Sequence, residues 1–234
     1  MKNAIVIGAS SGIGLELARL LVKDGYTTYI TGRREEKLKD LQAEMPDMYR
    51  IKVFDITDLE ASNTAFDAMC ADLGEIDLVV VNSGWGDVNK KLDWNIEHTV
   101  IQTNVLGAAN MCVRAMHVFY KQNSGHLVGI SSIASLIGGR LNPAYNASKA
   151  FLSNYLHGLY LAVQSRKQPI TVTDIRPGFV KTALVKGDKV FWMQPVDKAA
   201  RQILDAIKKK KRMAYITKRW TLFGWLTRFY SGWA

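Results

Sequence analysis

Tyr145-Asn146-Ala147-Ser148-Lys149 sets a phenol and an ammonium four positions apart. On a helix that spacing brings both side chains to one face, one turn apart, where they can converge. Asn142-Pro143 just upstream supplies an N-cap residue and a proline at the first helical position, so the spacing predicts a helix carrying the pair. A free tyrosine titrates near ~10, and an adjacent ammonium favours the phenolate, which would make Tyr145 a proton donor or acceptor usable near neutral pH. A Tyr-x-x-x-Lys pair is common by chance, so its meaning depends on what the chain places around it.

A second constellation opens the chain. Gly8-Ala9-Ser10-Ser11-Gly12-Ile13-Gly14 follows the β-branched run Ala4-Ile5-Val6-Ile7 and precedes Leu15, Ala18, Leu21 and Val22 at helical spacing. Strand, glycine loop and helix in that order present unpaired backbone N–H groups and a helix dipole to a phosphate. Glycine in a tight turn would also account for the pattern, whose spacing is G-x-x-x-G-x-G and not G-x-G-x-x-G. About twenty residues on, where a carboxylate would hold the adenosine ribose, stands Thr31-Gly32-Arg33-Arg34. Guanidinium groups match a 2′-phosphate, so NADP is the expected cofactor, with NAD as the alternative; a solvated basic helix start is the bland reading. Asp55-Ile56 after the third strand could offer a carboxylate to the adenine amine, and Asn82-Ser83-Gly84 after the fourth could line the adenosine ribose. Alone, each is more often a turn.

The elements that must carry these groups are legible as a rhythm. Residues 4–7, 28–31, 51–54, 78–81, 127–130, 170–173 and 213–217 read as strands separated by longer helical patterns. Strands this apolar, without strict polar alternation, suit a parallel sheet covered on both faces. The expected fold is a doubly wound α/β sheet in a single domain spanning 1–234, with an aromatic tail over 218–234. Ligands on such a sheet bind beyond the carboxyl ends of the strands, where the residues above fall.

Composition sets the outer limits. Hydrophobic residues make up 48% and charged residues 22%, ordinary usage for a chain burying one core, which argues against disorder and disulfide scaffolds. Two cysteines, Cys70 and Cys112, are too few for a disulfide framework, and the apolar run after Met1-Lys2-Asn3 is too short for a signal-peptide core. No stretch approaches the roughly 18 apolar residues of a spanning helix, so a cytoplasmic protein is expected. The charge of +10 gathers only at Lys208-Lys209-Lys210-Lys211-Arg212, just after an apparent helix Val196 to Ile207. Lysines favour a helix C-terminus, so a solvated helix end is expected there and no nucleic-acid partner.

Taken in order, the motifs resemble those of the short-chain dehydrogenase/reductase family over essentially the whole length. They are Gly8-x-x-x-Gly12-x-Gly14, Asn82-Ser83-Gly84 in place of Asn-Ala-Gly, Asn104, Ser131-Ser132, Tyr145-x-x-x-Lys149, and Pro177-Gly178 with Thr182. The resemblance implies a Rossmann-type fold and a catalytic tetrad. Tyr145 would exchange a proton with the substrate oxygen while hydride passes to or from the nicotinamide. Lys149 would hold the nicotinamide ribose and lower the tyrosine pKa, Ser132 would hydrogen-bond the substrate carbonyl, and Asn104 would hold a relay water. The family's serine-to-tyrosine separation of thirteen selects Ser132, with Ser131 the alternative. Ser10, Ser11 and Ile13 of the loop would touch the cofactor, and Pro177, Gly178, Val180 and Thr182 would lie near its carboxamide. Ile7 stands where the family often has threonine and Ser83 replaces alanine, which questions one loop hydrogen bond and one close contact. Ser11 occupies a position where some NADP-dependent members carry a basic residue, so the cofactor preference rests on Arg33 and Arg34.

The substrate is then a carbonyl compound or secondary alcohol, and a homodimer or homotetramer is the family expectation. A non-catalytic NADP-binding sensor on the same fold is the competing function; a sugar-nucleotide epimerase would need a larger substrate domain. Ala183 to Gln194, with Phe191 and Trp192, lies where the family keeps a lid, and Trp85 is either a pocket wall or core. The tail from Trp220 to Trp233 has Leu222, Leu226, Phe229 and Trp233 at helical spacing. It is expected to cover the pocket or a partner subunit, or to lie peripherally on a membrane aided by Lys218, Arg219 and Arg228.

Overall fold

Seven parallel strands form one sheet in the computed structural model, which describes residues 2–182, 192–222 and 224. They are β1 (Lys2–Ile7), β2 (Tyr26–Gly32), β3 (Tyr49–Val53), β4 (Leu78–Val81), β5 (Gly125–Ile130), β6 (Ile170–Pro177) and β7 (Met213–Ile216). Their spatial order is β3-β2-β1-β4-β5-β6-β7. The order reverses between β1 and β4, and a crevice opens at such a reversal beyond the strand ends. Gly8 and Asn82, the first residues after those two strands, stand at its edge.

Alternation along each strand feeds two cores, which is why the strands read as continuous apolar runs. Ala4 and Val6 of β1 face one side with Leu17 and Leu21 of α1 (Gly12–Lys23), Leu38 of α2 (Glu35–Gln42) and Ile203 of α7 (Val196–Lys208). Ile5 and Ile7 face the other with Phe66 of α3 (Leu59–Leu73), Phe119 of α5 (Ala108–Gln122) and Leu156 of α6 (Pro143–Arg166). A short α4 (Trp94–Ile101) runs through a π-helical turn, Gln102–Gly107, directly into α5. All seven strands fall where hydrophobic patterning puts them. β6 outruns its expected end by four residues because Asp174 to Pro177 pair with Met213 to Ile216 of β7, a partner no local pattern reveals. The basic run is a helix end: α7 stops at Lys208, which pairs with Asp24, while Lys209 pairs with Asp205 at 2.8 Å.

One polar contact inside the sheet carries a pH consequence. His126 of β5 is buried, and its Nε2 lies 2.8 Å from the Thr173 hydroxyl, which itself donates to the Lys211 carbonyl. The imidazole is therefore the donor in that pair, as a neutral ring can be. Burial, helped by nearby Lys210, pushes its pKa down from 6.5 to about 4. As pH falls through that window the unfolded chain takes the proton first, so stability that is complete above the unfolded value is lost toward the folded one. Urea midpoints should fall between about pH 7 and pH 4.5 by the equivalent of about 2–3 kcal/mol, and His126→Gln should remove that part of the slope.

Candidate active site

The glycine loop is held from both neighbouring strands. Gly8 and Ala9 donate to the Thr31 carbonyl at the end of β2, at 3.2 and 2.8 Å. Asn82 Nδ2 donates to the Gly8 carbonyl at 2.6 Å, and the Asn82 and Ser83 N–H groups return to Ile7. The loop bond that Ile7 leaves in question is thus supplied by Asn82. Gly8 has φ +92°, and a Cβ there would come 2.8 Å from the Ser83 nitrogen. A Cβ on Gly14 would strike the Gly8 carbonyl and approach Asn82 Nδ2 to 2.5 Å. These two glycines bring α1 against the end of β1 with its first turn free of acidic residues and of a side-chain cap. An uncapped helix start under a close backbone approach fits a nucleotide phosphate.

Around that loop the basic residues divide. Arg34 Nη2 donates to the hydroxyls of Ser10 and Ser11, at 2.8 and 2.7 Å, which places a guanidinium on the loop itself. Arg33 instead pairs with Asp55 at 3.2 Å. Asp55 also accepts from the Thr57 N–H and hydroxyl, at 2.9 and 2.8 Å. Burial pushes the Asp55 carboxyl up, but Thr57 and Arg33 together outweigh it and hold the group below the usual carboxylate range. Its carboxylate is therefore shared with two protein partners before any ligand arrives. Ile56 points into the core, and Ile13 is partly buried against the α1 side.

Beyond β5 the polar groups converge. Tyr145 and Lys149 occupy the first two turns of α6, and the ammonium lies 5.9 Å from the centre of the tyrosine ring. Ser132 lies beside the Tyr145 phenol, whose pKa its hydroxyl lowers; that hydroxyl donates to the Pro177 carbonyl at 3.4 Å and accepts from Ala134 N–H at 3.1 Å. Ser131 turns away, its hydroxyl donating to Asp174 and to the Ile175 carbonyl at 3.0 Å. Of the two serines, Ser132 is the one beside the phenol. Lys149 Nζ donates to the Ile130 carbonyl at 2.9 Å, and burial pushes it down to about 8 against the opposing pull of Asp174.

Two expectations are corrected here. Burial pushes the Tyr145 phenol above its ordinary value, and the Ser132 hydroxyl recovers only part of that, so the phenol is not acidified. Lys149 lies over the ring and bonds a carbonyl, so its charge is not aimed at the phenol oxygen. Asn104, in the π-helical turn, has both ends of its amide engaged with protein: Nδ2 donates to the Trp85 carbonyl (2.8 Å) and Ser148 (3.0 Å), and Oδ1 accepts from Trp85 N–H (2.8 Å). Its side chain braces α6 against the loop after β4.

A family model described as short chain dehydrogenase matches residues 2–191. The chain belongs to that family. An uncharacterized oxidoreductase of Myxococcus xanthus (strain DK1622) is 38% identical over 189 residues, 78% of this chain and 74% of the other protein. Dehydrogenase/reductase SDR family member 7B of Xenopus laevis is 31% identical over 192 residues, 77% of this chain and 58% of that protein. The crystal structure of a short-chain dehydrogenase from Streptomyces avermitilis matches with a TM-score of 0.86 at 26% identity, covering 99% of this chain and 94% of the other. A short chain dehydrogenase/reductase from Burkholderia phymatum, in complex with NAD, matches in fold with a TM-score of 0.86 at 18% identity, over 95% and 91%. The protein is thus an oxidoreductase of the short-chain dehydrogenase type on a nucleotide-binding fold.

The remaining residues of this dehydrogenase fall around the site in uneven ways. Thr182 packs over the start of α1, since a Cβ on Gly12 would lie 3.1 Å from its methyl. Val180 bridges to Gln194, using the Phe179 carbonyl and the Lys181 N–H, both at 2.9 Å. The indole of Trp220 lies against Gly178 and makes edge contacts with Phe179 and Trp192, at 5.8 and 5.3 Å between rings. Trp220 and Trp192 thus wall the Pro177-Gly178 turn, while Leu222 is exposed. Phe191 and the rest of 183–191, and Phe223 with 225–234 including Leu226, Arg228, Phe229 and Trp233, lie outside the described residues. No described helix is long and apolar enough to cross a membrane. Gly84 sits beside Lys149, and Trp85 is partly buried.

Three contributors were not visible as motifs. Gly86 packs directly on the Tyr145 ring, where any Cβ would collide. Glu97 of α4 accepts from Ala144 N–H at 3.0 Å, one residue before Tyr145, so a carboxylate from another helix caps the α6 N-terminus. Asn142, the expected cap, holds the N-cap position without a side-chain bond. Buried Asn89 donates to Glu97 at 2.7 Å and, through its own N–H, to the Leu141 carbonyl at 2.6 Å, tying both loops to the cap. Glu97→Ala should speed amide exchange across 143–147 and cost about 1 kcal/mol, as loss of a side-chain cap does, while Glu97→Gln, which keeps one of the two acceptor oxygens, should recover only part of it. Hydrogen-exchange mass spectrometry with urea unfolding measures both.

Proposed function

We propose that the protein interconverts carbonyl compounds and secondary alcohols using NADP(H), with Tyr145 as general acid and base. The observation that carries this reading is the convergence of Ser132, the Tyr145 phenol and the buried Lys149 ammonium, which lies 5.9 Å from the centre of the tyrosine ring. When bound, the dinucleotide supplies or accepts the hydride. Burial keeps the phenol protonated near neutral pH, the state required to donate a proton to a carbonyl oxygen. Ser132 offers a second hydrogen bond to the same oxygen, and donors placed beforehand stabilise charge as it develops there. Lys149 stands one turn away to meet the negative charge left on the tyrosine.

For NADP over NAD, the supporting feature is Arg34 on Ser10 and Ser11, three donors at the mouth of the loop that suit a 2′-phosphate. Arg33, paired with Asp55, is a lesser contributor. The exposed Phe151, stacked on Tyr155 at 5.6 Å, and the exposed Leu161 favour α6 as the contact of a homo-oligomer. Unpaired Cys70 and Cys112 favour a reducing, intracellular location.

NADPH and NADH oxidation against a panel of aldehydes, ketones and quinones tests the reading. Tyr145→Phe should lower turnover by about 10²–10⁴-fold; equal rates in mutant and wild type would end the proposal. Arg34→Ala should reduce the NADPH/NADH ratio of kcat/KM by roughly tenfold. An unchanged ratio would remove Arg34 from cofactor choice.

A further inference from the structure

Asp174 lies on β6 behind the proton-transfer groups and is 6% exposed. Its Oδ1 accepts from the Ser131 hydroxyl, and its Oδ2 accepts from the Ser153 hydroxyl at 2.8 Å and from Arg176 Nε at 2.7 Å. Ser131 immediately precedes Ser132, and Ser153 lies one helical turn beyond Lys149. One carboxylate therefore joins the segment carrying Ser132 to the helix carrying Lys149. Arg176 completes the cluster, donating to Ser153 at 2.6 Å and to the Tyr215 hydroxyl of β7 at 3.2 Å.

A buried ion pair is a poor device for stability, since apolar residues of similar volume often serve a fold as well or better. Its position explains it more directly. Lys149 is buried among few charges. On its own helix it faces Tyr145; from β6 it feels Asp174, with Arg176 paired behind. The end of β5 offers the Ile130 carbonyl, and the loop after β4 and the π-helical turn bring Gly84 and Asn104, which are uncharged.

We propose that Asp174 is a positioning residue of the active site, fixing the Ser132 segment to the Lys149 helix and supplying the buried negative charge that Lys149 faces. This rests on the reading of Ser132, Tyr145 and Lys149 as the proton-transfer centre. An anion nearby favours the ammonium, so it works against the burial that pushes Lys149 down to about 8. Removing that charge drives the lysine further down and leaves less ammonium at neutral pH.

The test is a titration of the full-length protein labelled at lysine ¹³Cε, read by NMR, with Lys149→Met to assign the resonance. In Asp174→Asn the Lys149 midpoint should fall by about one pH unit. Because that variant leaves Arg176 buried without its partner, Asp174→Asn/Arg176→Gln is measured beside it and should show a fall too. An unmoved midpoint in the folded variants overturns the proposal. The alkaline limb of the kcat/KM profile in the same variants should move to lower pH in step. A profile lowered evenly at every pH, with its limb in place, would reduce Asp174 to a structural residue and also overturn it. Wild-type inactivity toward every carbonyl would count against the functional reading, and the NMR midpoint would still decide the role of Asp174.

Discussion

Lys149 places a primary ammonium where the sheet and α6 exclude water, and the surrounding structure is arranged around the cost of doing so. The fall from 10.5 to about 8 corresponds to roughly 3 kcal/mol working against the charged form. A single carbonyl acceptor, Ile130, does not cancel that, since a hydrogen bond to a charged group contributes about 1.5–3 kcal/mol net. That remainder already includes the pull of Asp174 on the neighbouring strand, without which burial would press the lysine further down. Arg176 of β6 and two serines, Ser131 and Ser153, satisfy that carboxylate in turn. A buried charge thus recruits a buried network, and the network ties β5, β6 and α6 into one frame.

At the other end of the crevice the governing constraint is steric. Gly8 and Gly14 allow the start of α1 to sit on the end of β1, and Asn82 spans the contact from β4. The same backbone geometry that requires glycine leaves the helix start open to an anion. Here polarity is supplied by the main chain, whereas around Lys149 it is supplied by side chains. The two ends therefore tolerate substitution differently: the loop is sensitive to any added atom, the lysine pocket to any lost charge.

Much of this was readable without coordinates, and the reason differs from residue to residue. The strands were legible because parallel strands buried on both faces leave unbroken apolar runs, and the glycine loop because backbone strain demands one residue type. Ser132 could be preferred over Ser131 only by family spacing; the physical distinction is that Asp174 captures Ser131, and Asp174 lies 43 positions away. Glu97, Asn89 and Asp174 gave no local signal, since each acts across a tertiary contact to a backbone or hydroxyl group. The Tyr145 environment was misread for a related reason. Sequence spacing brings the lysine near the tyrosine, but it does not say where the ammonium points or how dry the phenol is. Trp220 packs on Gly178 and Trp192, contacts that helical spacing along the tail does not reveal.

The direction in which both groups are pushed has its own logic. Burial disfavours the phenolate of Tyr145 and the ammonium of Lys149 alike, so at rest the pair carries as little charge as its setting allows. Under the proposed chemistry, proton donation by Tyr145 creates a phenolate one turn from that ammonium. Each charge then lowers the cost of the other. The attraction is absent while the phenol is neutral and grows as its proton leaves. Stabilisation that appears only on the way to the transition state lowers the barrier and not the resting state. A pair already ionised at rest would have spent that interaction before the substrate arrived.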